Sequence, residues 1–189
     1  MKSPQTLSIY KRPIHAPGIP QWKPILWYFI GHPIVQSYYI PFSGVKVWVL
    51  RKFGAKIGDG VVIKPGVHIK FPWNLSVGNH CWIGENTWID NLAPVVIEDN
   101  VCISQGVYFC TGNHDWCDPA FQLRLGSIHL GEGSWIAAKS VVGPSVSIGY
   151  GAILTIGSVT TQSLEPMTIY AGNPAQPIKL RKAKNLGDG

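Results

Sequence analysis

The chain has 189 residues, a formal net charge of +6, 46% hydrophobic residues and only 14% charged residues. This length and hydrophobic content support one domain with a real core and exclude an intrinsically disordered chain. The 21 glycines and 15 prolines fit poorly with a helical bundle or a coiled coil, because both residues interrupt long helices.

The N-terminal segment, residues 1–56, is a basic and aromatic arm. It holds eight lysines and arginines without one aspartate or glutamate, and its aromatic side chains are concentrated in 22–53. No secretory signal pattern opens it, and prolines and glycines interrupt its most apolar stretch, so we expect a cytoplasmic protein without a membrane-spanning helix. Two interpretations stay open: short helices that cap a solenoid, and peripheral contact of 22–53 with the inner face of an anionic membrane.

From residue 57 onward, an aliphatic or aromatic residue recurs every six positions. The positions in this register are Ile57, Ile63, Ile69, Val77, Ile83, Ile89, Ile97, Ile103, Phe109, Leu130, Ile136, Val142, Ile148 and Leu154. A period of six matches neither one face of a helix nor an alternating strand, but it suits a short strand followed by a turn. Three such units make one coil of a triangular prism whose faces are parallel sheets.

We therefore predict an all-β, parallel β-helix of about five coils over residues 57–175. The arm would form a helical or irregular cap at one end, and residues 176–189 a short basic tail at the other. An antiparallel sandwich of short strands is the alternative, although its turns would not keep one register through so many units. The pattern itself does not determine the handedness of the coil. The usual crossover rule for parallel strands would favour a right-handed one.

The register is interrupted between Phe109 and Leu130, where the step is 21 residues, whereas it is eight at the two equivalent earlier steps. About thirteen extra residues therefore leave the prism in an inserted loop, 110–129, and long excursions from a regular solenoid often carry function. The loop opens with Thr111-Gly-Asn-His-Asp115. The extra residues of the two earlier steps should bulge from the same corner in successive coils.

The repeat resembles the hexapeptide acyltransferases, whose β-helix is left-handed. Within that superfamily, the stretch from Trp88 to Asp115 is similar to the colanic-acid-type exopolysaccharide O-acetyltransferases, and more distantly to the maltose and galactoside acetyltransferases. The similarity covers about residues 44–181. It includes Phe53-Gly-Ala-Lys-Ile-Gly58, Phe71-Pro-Trp-Asn-Leu75 and Ala171-Gly-Asn-Pro-Ala175.

This resemblance implies a left-handed β-helix, acetyl-CoA as the donor, and a homotrimer whose active sites lie between subunits. It assigns the general base to His114, since imidazole can take a hydroxyl proton near neutral pH. Asp115 would orient the ring, unless another carbonyl does so, and Asn91 and Asn113 would contact the acceptor saccharide. The expected donor contacts are Trp135, Ala138, Ile156, Gly157, Thr161, Gln162 and Lys179.

The implied activity is transfer of acetyl to a sugar hydroxyl of an exopolysaccharide precursor, free, nucleotide-linked or lipid-linked. An N-acyltransferase acting on an amino sugar, and a catalytically silent scaffold at the membrane, are the alternatives. A γ-class carbonic anhydrase shares the prism but binds zinc through a His-x4-His pair, which the six histidines of this chain do not form, so we expect no metal. We expect no nucleic-acid partner, because residues 57–175 carry nine acidic and only four basic residues.

Overall fold

The computed structural model describes residues 5–11 and 18–182. Residues 1–4, 12–17 and 183–189, which belong to the predicted arm and tail, lie outside the described residues. Residues 56–180 form a parallel β-helix with three faces, here called A, B and C in the order in which the chain first reaches them. The all-β prediction is confirmed.

The strands are numbered along the chain. Face A contains β1 (Lys56–Ile57), β4 (Leu75–Val77), β7 (Val95–Ile97), β12 (Ile128–Leu130) and β15 (Ser147–Ile148). Face B contains β2 (Val62–Ile63), β5 (Trp82–Ile83), β8 (Cys102–Ile103), β13 (Trp135–Ile136), β16 (Ile153–Leu154), β18 (Thr168–Gly172) and β19 (Ala175–Leu180). Face C contains β3 (His68–Ile69), β6 (Trp88–Asp90), β9 (Tyr108–Cys110), β14 (Val141–Val142) and β17 (Val159–Thr160). The described residues thus complete five coils, and a bridge from Leu164 to Ile148 followed by β18 begins a sixth.

The interior of the prism is built from the predicted register. All fourteen positions are buried, and none is more than 8% exposed. Each side chain stacks on its counterpart in the next coil, as Ile63 pairs with Ile83 and Ile83 with Ile103. This stacking explains why every sixth residue is aliphatic or aromatic.

The turns account for the high glycine content. The chain enters the left-handed region once in most turns, at six glycines with φ between 62° and 73° and at residues such as Asn86 and Asn100. Other glycines allow close approach of neighbouring coils. A Cβ at Gly84 would lie 2.5 Å from the backbone carbonyl carbon of Ser104.

The extra residues all leave the prism where the chain passes from face C to face A, which we call the C-to-A corner. Segments 70–74, 91–94 and 111–127 connect β3 to β4, β6 to β7 and β9 to β12, respectively. The first includes a 3-10 turn, Pro72–Asn74. The prediction that the insertions share one corner in successive coils is confirmed.

The arm forms a helical cap. Its elements are a 3-10 turn (Leu7–Ile9), α1 (Trp22–Leu26), a π-helical turn (Trp27–Gly31), α2 (His32–Gln36) and α3 (Ser43–Lys52). Val49 and Leu50 of α3 are buried in the same core as the first coil. The indole of Trp27 is also buried, and its Nε1 donates to the carbonyl of Ile69 at 3.1 Å. The capping interpretation is confirmed, and no described helix is long and apolar enough to span a bilayer.

The C-terminal end departs from the predicted boundary at residue 175. Residues 176–180, predicted as tail, belong instead to strand β19, which pairs antiparallel with β18. Beyond it, the Arg181 guanidinium donates to the carbonyls of Gly133 and Gly151, each at 2.9 Å. The edge of face B at β18 offers unpaired backbone groups, and β19 satisfies them.

Candidate active site

The inserted loop is organised as a two-stranded hairpin at the C-to-A corner. Strand β10 (Gly112–His114) pairs antiparallel with β11 (Leu123–Leu125), so that His114 lies opposite Leu123. Thr111 anchors the hairpin to the coil below. Its fully buried hydroxyl donates to the carbonyl of Asp90 at 2.8 Å and accepts the Ala93 N–H at 3.0 Å.

The His114 ring is held in one orientation by Phe121. Its Nδ1 lies 2.7 Å from the Phe121 carbonyl oxygen, and the two rings stack with centroids 4.3 Å apart and planes 5° from parallel. Because a carbonyl only accepts hydrogen bonds, Nδ1 carries the proton and a neutral ring keeps its lone pair on Nε2. Tyr10 lies beside the same ring, with centroids 5.8 Å apart. A neutral imidazole in this tautomer is suited to accept a proton at Nε2.

Asp115 does not orient the His114 ring, and that interpretation is corrected. Its carboxylate pairs with the Arg124 guanidinium and accepts the Cys117 N–H at 3.0 Å. The Cys117 hydrogen bond and the Arg124 charge lower the pKa of the Asp115 carboxyl. Asp115 follows directly on strand β10, where successive side chains point to opposite sides, so the two neighbours diverge. Its observed role is to close the end of the hairpin.

A small cleft of about 190 Å³ opens beside the His114 ring. Its walls are Asn113, His114, Asp115, Trp116, Cys117 and Arg124. The Asn113 side chain is exposed and accepts the His114 N–H at 2.8 Å, which leaves its NH2 group for a ligand. The cleft therefore combines one base with polar neighbours.

Asn91 lies at the predicted corner but faces the interior. Its side chain is fully buried, accepts the Phe71 N–H at 2.9 Å and donates to the Phe71 carbonyl at 2.7 Å. The amide thus joins two successive insertions of the C-to-A corner. Because solvent does not reach it, we leave Asn91 out of the proposed acceptor contacts.

Three of the expected donor contacts line a second cleft, at the corner where the chain passes from face B to face C. This cleft has a volume of about 420 Å³ and is lined by Ser104, Gln105, Trp135, Ala137, Ala138, Ile153, Thr155 and Ile156. The Trp135 indole is held by a 2.9 Å hydrogen bond from Nε1 to the Ser104 hydroxyl. Gly157 stands at the same corner, where its N–H donates to the Ala138 carbonyl at 2.9 Å. The walls are mainly apolar and include the small side chains of Ala137 and Ala138, which suits a narrow acyl-carrying arm.

The remaining donor contacts fall into two places. Lys179, on β19, lines an open groove of about 800 Å³ together with Arg181 and Lys182, and Ile153 belongs to both this groove and the second cleft. These three cations therefore lie at one end of a continuous surface on face B. Thr161 and Gln162 are exposed at the C-to-A corner instead, after β17.

Within the described part of the chain, no residue lines both the His114 cleft and the Trp135 cleft. The two clefts belong to different corners of the prism. The histidine and most of the expected donor contacts are thus not brought together in one subunit.

The residues that position His114 were not found from the sequence. Phe121, which holds the ring, lies seven positions after the histidine, and Arg124, which pairs with Asp115, lies ten positions after it; only closure of the hairpin brings them into place. A positive φ of 51° at Phe121 gives no signal in the sequence, because phenylalanine is not a turn former. In the described ranges, no group of three or more His, Cys, Asp and Glu residues is placed to hold a metal ion.

Three curated relatives align with most of the prism, although no protein-family model matches the sequence. WcaF of Escherichia coli K12, whose name assigns it to colanic acid biosynthesis as an acetyltransferase, is 38% identical over 136 residues, which cover 72% of this chain and 75% of that protein. Nodulation protein L of Rhizobium meliloti is 33% identical, over 67% of this chain and 71% of that protein. The galactoside O-acetyltransferase of Escherichia coli K12 is 26% identical, over 69% of this chain and 66% of that protein.

Solved structures share the fold at lower identity. A hexapeptide-repeat acetyltransferase of Vibrio cholerae, determined with acetyl-CoA, superposes with a TM-score of 0.77 at 23% identity, over 86% of this chain and 89% of that chain. A galactoside acetyltransferase in complex with coenzyme A superposes with a TM-score of 0.76 at 20% identity, over 88% of this chain and 86% of that chain. The left-handed β-helix that the resemblance implied is thereby confirmed. Given the identity to WcaF and the shared prism, the chain belongs to the family of hexapeptide-repeat acetyltransferases that includes WcaF.

Proposed function

We propose that this acetyltransferase moves the acetyl group of acetyl-CoA to a hydroxyl of a saccharide, and that the saccharide is an exopolysaccharide precursor. The observation that carries the proposal is the His114 ring, whose Nδ1 is bound to the Phe121 carbonyl and whose Nε2 is left to accept a proton. The name of WcaF supports the exopolysaccharide class, and the name of the galactoside enzyme supports a sugar hydroxyl as the acceptor.

In the proposed reaction, Nε2 of His114 takes the proton of the acceptor hydroxyl while that oxygen bonds to the acetyl carbonyl carbon. The carbon–sulfur bond then breaks, and the imidazolium returns the proton to the departing thiolate. The Phe121 carbonyl accepts the Nδ1–H throughout, so it stabilises the positive ring that exists between the two proton transfers. Asn113 donates from its free NH2 to an acceptor hydroxyl.

The donor binds along face B and the adjoining corner in this proposal. Trp135, Ala138, Ile156 and Gly157 hold the arm that carries the thioester, since small and apolar walls let a thin chain approach the backbone. Lys179, with Arg181 and Lys182 near it, contacts the nucleotide phosphates through charge-assisted hydrogen bonds.

Two clefts on different corners require a second subunit if they form one site. We infer a homotrimer in which the His114 hairpin of one subunit meets the Trp135 cleft of its neighbour, with Thr161 and Gln162 contributed from the hairpin's side. Closed rings of this kind use heterologous contacts, in which two different surfaces of the chain meet.

A subunit-mixing experiment tests the shared site. His114→Ala and Ala138→Trp each remove one half of the site, and both variants alone should be inactive. Random mixed trimers should regain about one quarter of wild-type turnover, because one interface in four pairs an intact hairpin with an intact cleft. If both halves came from one subunit, the mixture would stay inactive.

The base is tested by His114→Ala with His129→Ala as the matched control. His129 is a half-exposed histidine of the prism whose Nε2 contacts Glu98 at 2.9 Å, away from either cleft. We expect His114→Ala to keep CoA binding and lose about 10²–10⁴-fold in kcat, the usual contribution of a positioned base, while His129→Ala keeps its turnover. A fully active His114→Ala enzyme would exclude this residue as the base.

The acceptor is identified by mass spectrometry of products formed from acetyl-CoA with lipid-linked and nucleotide-linked saccharides. An O-acetyl ester is removed by mild base, whereas an amide on an amino sugar survives, so the same products separate O-transfer from N-transfer. A protein with no CoA-dependent rise in melting temperature would instead be a silent scaffold.

A further inference from the structure

Residues 22–36 form one continuous helical segment with two opposite faces. The backbone stays helical where α1 meets the π-helical turn and where that turn meets α2. Trp27, Gly31 and Val35, spaced by four, are buried toward the prism. This face caps the first coil, as described above.

The opposite face is apolar and uncovered in the described chain. Its large members are Trp22, Ile25, Leu26, Phe29 and Ile30, which are 59%, 58%, 40%, 70% and 52% exposed. The spacing of three and four places them on one side of the helix. Surface helices of water-soluble domains normally present polar residues here, and a contiguous apolar face marks an interaction site.

The arm that carries this face is positive and aromatic in sequence. Residues 1–56 contain eight basic residues and no acidic one. Lys23 lies in α1 with Nζ 5.6 Å from the centroid of the Trp73 ring, and Lys52 lies in α3 with Nζ 5.8 Å from that of Trp48. Tyr28 and Tyr39 are 68% and 97% exposed nearby in the chain. Exposed Trp and Tyr beside lysines are the combination found at the boundary between lipid headgroups and acyl chains.

We propose that the exposed face formed by Trp22, Ile25, Leu26, Phe29 and Ile30 docks the protein on an anionic lipid bilayer. The apolar side chains enter the headgroup boundary, and the lysines contact lipid phosphates. Two copies of the chain do not fit together arm to arm through this face, because two wholly basic arms would meet and repel each other. Docking does not depend on which group the enzyme transfers, so it goes beyond the proposed function and can fail independently of it.

Liposome flotation of the full chain tests the docking, with vesicles of phosphatidylglycerol and phosphatidylcholine against phosphatidylcholine alone. The test variant is Ile25→Gln with Phe29→Gln. The matched control is Ile178→Gln with Leu180→Gln on β19, because these residues are 59% and 70% exposed against 58% and 70% for the first pair. All four side chains are already in solvent, so neither variant should change the melting temperature.

The wild type and the control should float with the anionic vesicles and be released by high salt. The test variant should partition about tenfold more weakly, which corresponds to about 1.4 kcal/mol. Equal flotation of the test and control variants, or no flotation of the wild type, would overturn the proposal. A test variant that loses its oligomeric mass in solution would overturn it as well, since the face would then join subunits.

Discussion

Replacing Thr111 by valine should loosen the root of the hairpin that carries His114. Valine keeps the branched shape and the burial of threonine but puts a methyl group where the hydroxyl stands. The Asp90 carbonyl still accepts the backbone N–H of residue 111 at 3.3 Å, whereas the Ala93 N–H loses its 3.0 Å partner in a site that water does not reach.

An orphaned buried donor costs about 1–3 kcal/mol, so we take about 2 kcal/mol for the valine variant. For a chain of this size, each kcal/mol lowers the melting temperature by about 2–4 °C, which gives about 4–8 °C. Thr111→Ser keeps the hydroxyl and loses one buried methyl group, worth about 0.8 kcal/mol and so about 2–3 °C.

The assay is thermal unfolding of both variants at one protein concentration, since oligomers melt in a concentration-dependent way. Turnover is measured in parallel, and we expect kcat to fall further in the valine variant than in the serine variant while CoA affinity is kept. A valine variant that is as stable as the serine variant would refute the hydroxyl bridge as the anchor of the hairpin.

Two further outcomes follow from the clefts and the cap. Ala138→Trp should fill the second cleft and abolish the CoA binding that calorimetry detects, with little change in melting temperature because the side chain is only half-buried. Burial lowers the pKa of His32 and of His68 below the ordinary 6.5, and the charge of His68 lowers that of His32 further. The unfolded chain therefore binds more protons as pH falls below about 6.5, so the melting temperature should drop from neutral pH toward about pH 5, and His68→Gln should flatten this dependence. A wild-type melting temperature that does not change with pH over this range would contradict the lowered pKa values of His32 and His68 in the folded protein.

The prism was predictable because its information is local and repeated. An aliphatic or aromatic residue at every sixth position predicts which side chains face inward, and the positions from Ile57 to Leu154 keep this register in the structure. The shared corner of the insertions followed from the same count, since steps of eight and twenty-one begin after Ile69, Ile89 and Phe109. The capping role of the arm was one of two open interpretations, and burial of Trp27 establishes it.

The geometry around His114 was not predictable, because it depends on contacts made after the chain folds back. The position of the base came from its sequence context, but its partner is a backbone carbonyl of Phe121, which any residue type supplies. Asp115 was predicted to orient the His114 ring because it is the acidic residue nearest to it in the sequence, yet its carboxylate pairs with Arg124. Asn91 has the polarity expected of a sugar contact, and the structure uses that polarity inside the molecule to tie two coils together.

The two ends of the prism decide how long it is. Nothing in a six-residue unit ends the repeat by itself. Each new coil pairs with the unpaired strand edges of the coil before it and presents the same kind of edges to the next. In this chain α3 packs on the first coil at one end, and the reversal of direction at β19 ends face B at the other, since an antiparallel strand cannot be followed by another coil in register. These few residues therefore limit the repeat at both ends of face B, so truncation at either end should expose a strand edge that can pair with another chain.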